Sequence, residues 1–482
     1  MRFALRRHIG SSPSFAFRHA RDLKFFTAAV EGAPSALARE PTGPFEHEFA
    51  PRDYVTFLLH MDAQIEHGLM VQYLYAAYSL GGPQVPEAMR DKVRTWREII
   101  LGIAKEEMGH LITVQNVLRL IGSPLCFERE DYPWSTPFYP FPFALEPLTL
   151  DSLAKYIYAE SPEDWHGALA DEIRARVKKT VPNPRRVGDL FDELIERISD
   201  ADALPDSVFQ AATTEFQADF SEWGRGYEAG KRGNASGANP PGTPNIIVKP
   251  LWSRAEAIAA LKGIAEQGEA PATQEDAEPS HFTRFLQVYV EMSKAPADVS
   301  YALPVATNPY VSWSADAEPG SEYTGDETRC PITDPEAMLW AQLHNLRYRM
   351  LLALLEHSFH ERGGAATSRG ATRGMLINAA FGEMYNLRAI SDLLMRLPLS
   401  ADRGAIYAGP PFQMPYTLQL SSFPADRWQT HLDVLEAAGA LMRELGPVAS
   451  ENGKRYLRTC LDTDEQVKAV IGKVLSAHRE AA

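Results

Sequence analysis

Residues Glu107-Met-Gly-His110 set a carboxylate and an imidazole three positions apart, a spacing that puts both on one face of a helix. Such a pair can chelate one metal ion. The pattern alone is common, and Glu163-Asp-Trp-His166 repeats it in a segment with no other metal-like feature. The neighbours of Glu107 distinguish it. One and two turns away stand Ile100, Ile103, Ala104, Leu111 and Val114, so its carboxylate points into an apolar stripe. Glu66 repeats the anomaly among Leu59, Ala63, Leu69, Met70 and Tyr73. A buried charge is costly unless paired, and a metal ion is one way to pair it. Either acid alone reads as a buried group satisfied by Arg or Tyr, but the three residues together favour metal.

The elements that position these residues are long helices. Apolar residues recur at helical spacing from Asp53 to Leu80, GGPQVP stops the run, and a second helix spans about 87 to 121 before Gly122 and Pro124. Two helices of about 40 to 50 Å joined by a short turn must pack antiparallel, as half of a four-helix bundle. The turn lies near the sequence midpoint of Glu66 and Glu107, so the two carboxylates fall at about the same level.

A di-metal carboxylate site needs a second half, one Glu from a third helix and a Glu-x-x-His pair from a fourth. The segment 251 to 293 offers Glu269, on the apolar face of Ile258, Leu261 and Ala265, and His281, which leads into Phe285, Val288 and Met292. Glu266 sits beside Lys262 and reads as solvated. Glu278 precedes Pro279, so capping and ligation are both open to it. The hairpin at 335 to 396 competes, with Glu356, His360 and Glu383. For Glu383 an ion pair to Arg347, Arg349 or Arg388 is the simpler reading.

The remaining chain is irregular from 122 to 250, where the run from Tyr132 to Phe143 is too rich in proline for a helix. Its aromatic residues could line a substrate pocket or simply pack. Shorter helices are expected near 151 to 160, 186 to 199 and 207 to 223, and longer ones at 335 to 361, 371 to 396, 425 to 445 and 451 to 478. The domain expectation is an arm over 1–50, a bundle over 51–293 with an insertion at about 122–250, and a helical region over 294–482 that packs on or completes the bundle.

Composition bounds the function. The chain has 482 residues, 45% hydrophobic and 23% charged, which describes a globular protein. A net charge of -15 offers no footprint for nucleic acid or an anionic membrane, and no apolar run reaches the length of a membrane span. Cys126, Cys330 and Cys460 lie far apart, which points to a reduced, cytoplasmic setting without a disulfide framework or thiolate zinc site. The start MRFALRRHIG lacks the apolar core of a secretory signal and reads as a short basic arm.

The segments QIEHGLMVQYLYAAYSL (64–80), IAKEEMGHLITVQNVLRLIG (103–122), EQGEA (266–270), SHFTRF (280–285), FGEMYNL (381–387) and AGPPF (408–412) resemble the ferritin-like domain of the iminophenylpyruvate dimer synthases of violacein and indolocarbazole biosynthesis. The resemblance implies an all-α fold, a ferritin-like four-helix bundle with a large insertion and an additional C-terminal helical region, and an oxidative role in secondary metabolism. With Glu66, Glu107, His110, Glu269 and His281 as ligands, the expected function is a non-haem oxidase or oxygenase with two iron or manganese ions. Its partners would be O₂ and a small molecule such as an aromatic amino acid or imino acid, and a homo-oligomer is compatible with this. The alternatives are iron storage or peroxide detoxification, a metal-free relative, and a haem-dependent variant.

Overall fold

The computed structural model describes residues 49–132, 138–209, 214–223, 244–269, 279–312, 329–363, 372–401, 405–415 and 417–480. Helix α1 (Pro51–Ser79) opens with proline at its first turn, where no backbone donor is needed. It ends at a turn in which Gly81 and Gly82 take φ of 111° and 109°, values that only glycine adopts easily. Helix α2 (Glu87–Leu120) returns antiparallel to it. It closes on Gly122 in the left-handed region: the Ser123 N–H donates to the Leu118 carbonyl (2.8 Å) and the Gly122 N–H to that of Arg119 (3.1 Å).

Helix α3 (Leu150–Ala159) is started by a reciprocal cap between Thr149 and Ser152. Helices α4 (Ala168–Lys178), α5 (Gly188–Ser199), α6 (Arg254–Glu269) and α7 (His281–Ser293) follow, the last capped by Ser280. The contacts assign the bundle: α1 pairs with α2, α3 pairs with α7, and α7 lies against α2. Helices α5 and α6 pair with each other, with α5 on α1 and α6 on α2 and α7, so they wall one side of the bundle.

Helix α4 is not legible in the sequence pattern, because only Ala170, Ile173 and Val177 are buried and Gly167 provides no side-chain cap. Conversely, the described residues of 207 to 223 form short turns of helix, Asp206–Phe209, Thr214–Phe216 and Phe220–Trp223. Long-range pairing holds that backbone out of a helix. Asn116 receives the Ala218 N–H (2.7 Å) and donates to the Ala218 carbonyl (2.9 Å), while Gln217 spans the backbone of Leu251.

Helices α8 (Pro335–Ser358), α9 (Thr372–Leu394), α10 (Pro424–Val448) and α11 (Glu451–Glu480) form a second helical group, with α8 packed on both α9 and α10. Its interior encloses an ion network. Arg347 donates to Glu383 (3.0 Å) and to Asp464 (3.0 and 2.5 Å), all three buried. A two-residue parallel pairing of Pro309–Tyr310 with Cys330–Pro331 is the sheet among the described residues.

The aromatic run is packing where it is described. Tyr132, Tyr139, Phe141 and Phe143 are buried in the core, Tyr139 lies over Gly68 where any side chain would collide with it, and its hydroxyl donates to Gln72 (2.7 Å). Trp134 lies outside the described residues. Cutting Arg347 from its network strands two buried carboxylates, so Arg347→Ala should destabilise the fold by about 3–5 kcal/mol. Urea unfolding measures the loss, and metal content should stay at the wild-type level.

Candidate metal centre

Five side chains from the four bundle helices meet between them. Glu66 comes from the middle of α1, Glu107 and His110 from α2, Glu160 from the residue that ends α3, and His281 from the first position of α7. All are buried, none more than 3% exposed. The antiparallel pairing of α1 and α2 sets their carboxylates level, as the sequence midpoint implies.

The ligand-type atoms fall into two groups that share Glu107: Glu66, Glu107 and His110 in one, Glu107, Glu160 and His281 in the other, each with its atoms within 4.8 Å of one another. The two oxygens of Glu107 face different ways. Its Oε2 is 2.9 Å from His110 Nδ1, which also lies 3.3 Å from Glu66 Oε2. Its Oε1 is 3.0 Å from His281 Nδ1, which lies 3.8 Å from Glu160 Oε2. The imidazoles stack with centroids 5.3 Å apart. Glu107 thus presents one oxygen to each group.

A family profile described as ferritin-like matches residues 59–290, the stretch that carries all five side chains and the four helices around them. Residues 59–290 form a ferritin-like domain. The chain is 28% identical over 396 residues to a dichlorochromopyrrolate synthase of Lentzea aerocolonigenes, covering 75% of this chain and 36% of that protein. It is 27% identical over 433 residues to a 2-imino-3-(indol-3-yl)propanoate dimerase of Chromobacterium violaceum, covering 81% of this chain and 36% of the relative. The chain therefore spans about a third of the length of these curated relatives. No solved structure gives a significant match.

Within the ferritin-like domain the third carboxylate is Glu160, from inside the 122–250 segment, where the sequence pattern points to Glu269. The reason is helix pairing: α7 packs on α3 more extensively than on α6. Glu269 lines the same cavity but joins neither group. Its carboxyl lies against Gly188 at the start of α5, and burial pushes it up to about 8 despite the nearby Arg186. Glu160 was legible by the test applied to Glu66, since Leu153, Tyr156 and Ile157 lie one and two turns before it and all are buried.

The other candidates separate cleanly. Glu266 is exposed, and Glu278 lies outside the described residues. Glu383 is held by Arg347, while Glu356 and His360 sit at the end of α8, burial raising the first to about 7 and lowering the second to about 4. None joins a metal-type group among the described residues. His166 is exposed.

Electrostatics mark the centre of the ferritin-like domain as short of positive charge. Burial raises Glu107 well above the usual carboxylate range, with Glu66 and Glu160 adding to it against the pull of His281. Burial alone would lower His281, but the surrounding carboxylates, Glu107 first, outweigh it and hold the imidazole at about 10. His110 is raised in the same way, chiefly by Glu66 against burial. Asp62, one turn before Glu66, is fully buried with no hydrogen-bond partner on either oxygen, and burial pushes it far up, with Glu66 adding to the effect.

A narrow cavity of about 10 Å³ reaches this centre. Leu69, Phe191 and Ile264 are among its apolar lining and Glu269 lines it too. Tyr73 donates to Glu160 Oε1 (2.7 Å) and packs edge-on against Tyr156 and Phe285. Tyr73→Phe removes the donor and leaves a buried acceptor unsatisfied, which should cost about 1–3 kcal/mol in chemical denaturation. An unchanged midpoint would show that Glu160 draws nothing from it.

Proposed function

We propose that the ferritin-like domain is a non-haem oxidase or oxygenase that holds two iron or manganese ions and acts on an amino-acid-derived small molecule in secondary metabolism. The observation that carries this reading is the two buried ligand-type groups that share Glu107. Within them Glu107 Oε1 and His281 Nδ1 face each other at 3.0 Å as a buried ion pair without an aligned hydrogen bond. Buried polar atoms are rarely left so, and a cation between the carboxylates and the imidazole would satisfy both.

Glu66, Glu107 and His110 would hold one ion, and Glu107, Glu160 and His281 the other. Carboxylate-rich ligation with imidazole suits iron or manganese. Such a pair supplies O₂ binding and oxidising equivalents when bound. The protein's own groups do the rest. Tyr73 holds one oxygen of Glu160 and leaves the other turned to the centre, while Leu69, Phe191 and Ile264 exclude water from the approach.

The names of the two relatives, a synthase of dichlorochromopyrrolate and a dimerase of an indolyl imino acid, support an aromatic amino acid or imino acid as the substrate class. The chain spans about a third of the length of those proteins, and the reading proposed here is limited to an oxidation of that substrate class. The three cysteines are free, which suits a reducing, cytoplasmic setting, and among the described residues no helix is long and apolar enough to cross a membrane.

Anaerobic loading with Fe(II) and desalting should leave close to two ions per chain. Glu160→Ala and His281→Ala should each lower that number, and Glu269→Ala should not, as read by elemental analysis. Wild-type metal near zero would sink the reading. Because His281 keeps its proton up to about pH 10 without metal, an ion must displace it. Binding should therefore release protons and tighten as pH rises from 6 to 8, seen by Co(II) titration calorimetry in buffers of different ionisation enthalpy. Excess Fe(II) under air should form no mineral core, and an aromatic amino acid or imino acid should perturb the ferric spectrum. Continued mineral growth without that response would favour iron storage.

A further inference from the structure

The outer nitrogens of the two histidines are joined by one hydrogen-bond chain that passes through the backbone of Asn245. His110 Nε2 is 2.9 Å from Gln267 Oε1, and Gln267 Nε2 donates to the Asn245 carbonyl (2.9 Å). The Asn245 N–H donates to Glu106 Oε1 (2.7 Å), and Glu106 Oε2 is 3.1 Å from His281 Nε2 and is also paired with Arg284. Glu106 and His281 are fully buried.

The donors and acceptors in this chain leave no freedom. A backbone carbonyl can only accept, so the amide nitrogen of Gln267 must face Asn245 and its oxygen must face His110. His110 Nε2 therefore carries a proton and donates it. Glu106 receives a backbone N–H at one oxygen and the Arg284 guanidinium at the other, where the His281 imidazole also lies, and a carboxylate held by these donors acts as an acceptor. His281 Nε2 therefore donates as well. Both rings are thereby turned so that Nδ1 faces the carboxylates.

We propose that Glu106 and Gln267 are positioning residues, clamped by the Asn245 backbone, that fix Nε2–H on both imidazoles and so present both Nδ1 atoms to the two cation positions. The inference rests on the two-ion reading above and extends it to residues outside the ligand set. Partners of this kind orient a ligating histidine, and their loss costs about 10–100-fold in metal affinity. Further hydrogen bonds hold the segment carrying Asn245 against α2: Thr113 donates to the Ile247 carbonyl (2.6 Å) and Asn116 to that of Lys249 (2.9 Å).

Co(II) titration of the full chain tests the proposal. Wild type should take two ions. Gln267→Met, close in shape but with no acceptor, should weaken one of them by about 10–100-fold, and Gln267→Glu, which restores an acceptor, should recover it. Glu106→Gln should weaken the other by a similar factor, because its amide NH₂ has only donors to face. Near-UV circular dichroism checks that each variant is folded. In the Zn(II)-loaded, ¹⁵N-histidine-labelled protein, His110 and His281 should both show Nε2–H with Nδ1 bound. Two ions in wild type with unchanged affinity in both folded variants, or Nε2 bound in the zinc protein, overturns the positioning role and leaves the metal reading standing. No binding by wild type overturns the metal reading and this proposal with it.

Discussion

Concentrating three carboxylates and two imidazoles in the dry interior of a helical bundle is the constraint to which the other features answer. Each of Glu66, Glu107, Glu160, His110 and His281 would be expensive to bury alone, and each is buried. Like charges this close raise one another's proton affinity, as the upward shift of Glu107 shows, with burial the larger cause. The pair of imidazoles offsets part of that charge. The two groups around Glu107 invite more of it, and this makes the arrangement expectant rather than self-sufficient.

The scaffold is built to hold that arrangement. Two long helices set Glu66 and Glu107 level, and a seven-residue turn with two left-handed glycines lets them lie side by side. His110 shares the second of these helices, and the remaining two ligand-type residues sit at helix ends, Glu160 after the last turn of α3 and His281 at the first turn of α7. Helix ends are less constrained than helix centres, so these two positions depend on their caps and on long-range hydrogen bonds. Tyr73 fixes the first and Glu106 with Arg284 the second.

The C-terminal helical group solves a different electrostatic problem by different means. Arg347 neutralises Glu383 and Asp464 directly, so no cation is wanted there. The contrast is chemically informative: Glu383 has a guanidinium at 3.0 Å, whereas Glu66 and Glu107 have imidazoles as their near partners. A link between the two parts runs from His67, beside Glu66, to Tyr348 of α8, whose hydroxyl also receives Arg129.

Hydrophobic periodicity was enough to determine the all-α class, the long helices and their approximate ends, because apolar spacing of 3.6 residues survives any tertiary arrangement. The inward acids Glu66 and Glu107, with His110, were legible for the same reason: a carboxylate inside an apolar stripe is anomalous whatever packs on it. The sequence alone also pointed to an ion pair for Glu383 but left Arg347, Arg349 and Arg388 open, and the structure selects Arg347. The sequence could not decide which helix meets α7. Glu269 and Glu160 both end helices with apolar faces, and the pairing of α3 with α7 brings Glu160 to the centre while Glu269 lines the cavity and joins neither group. The clamp through Asn245 was likewise invisible, since it joins Glu106, Asn245 and Gln267 through backbone groups that carry no residue-type signal. Local spacing determines which side chains point inward. The choice of which inward side chains meet is made by long-range packing.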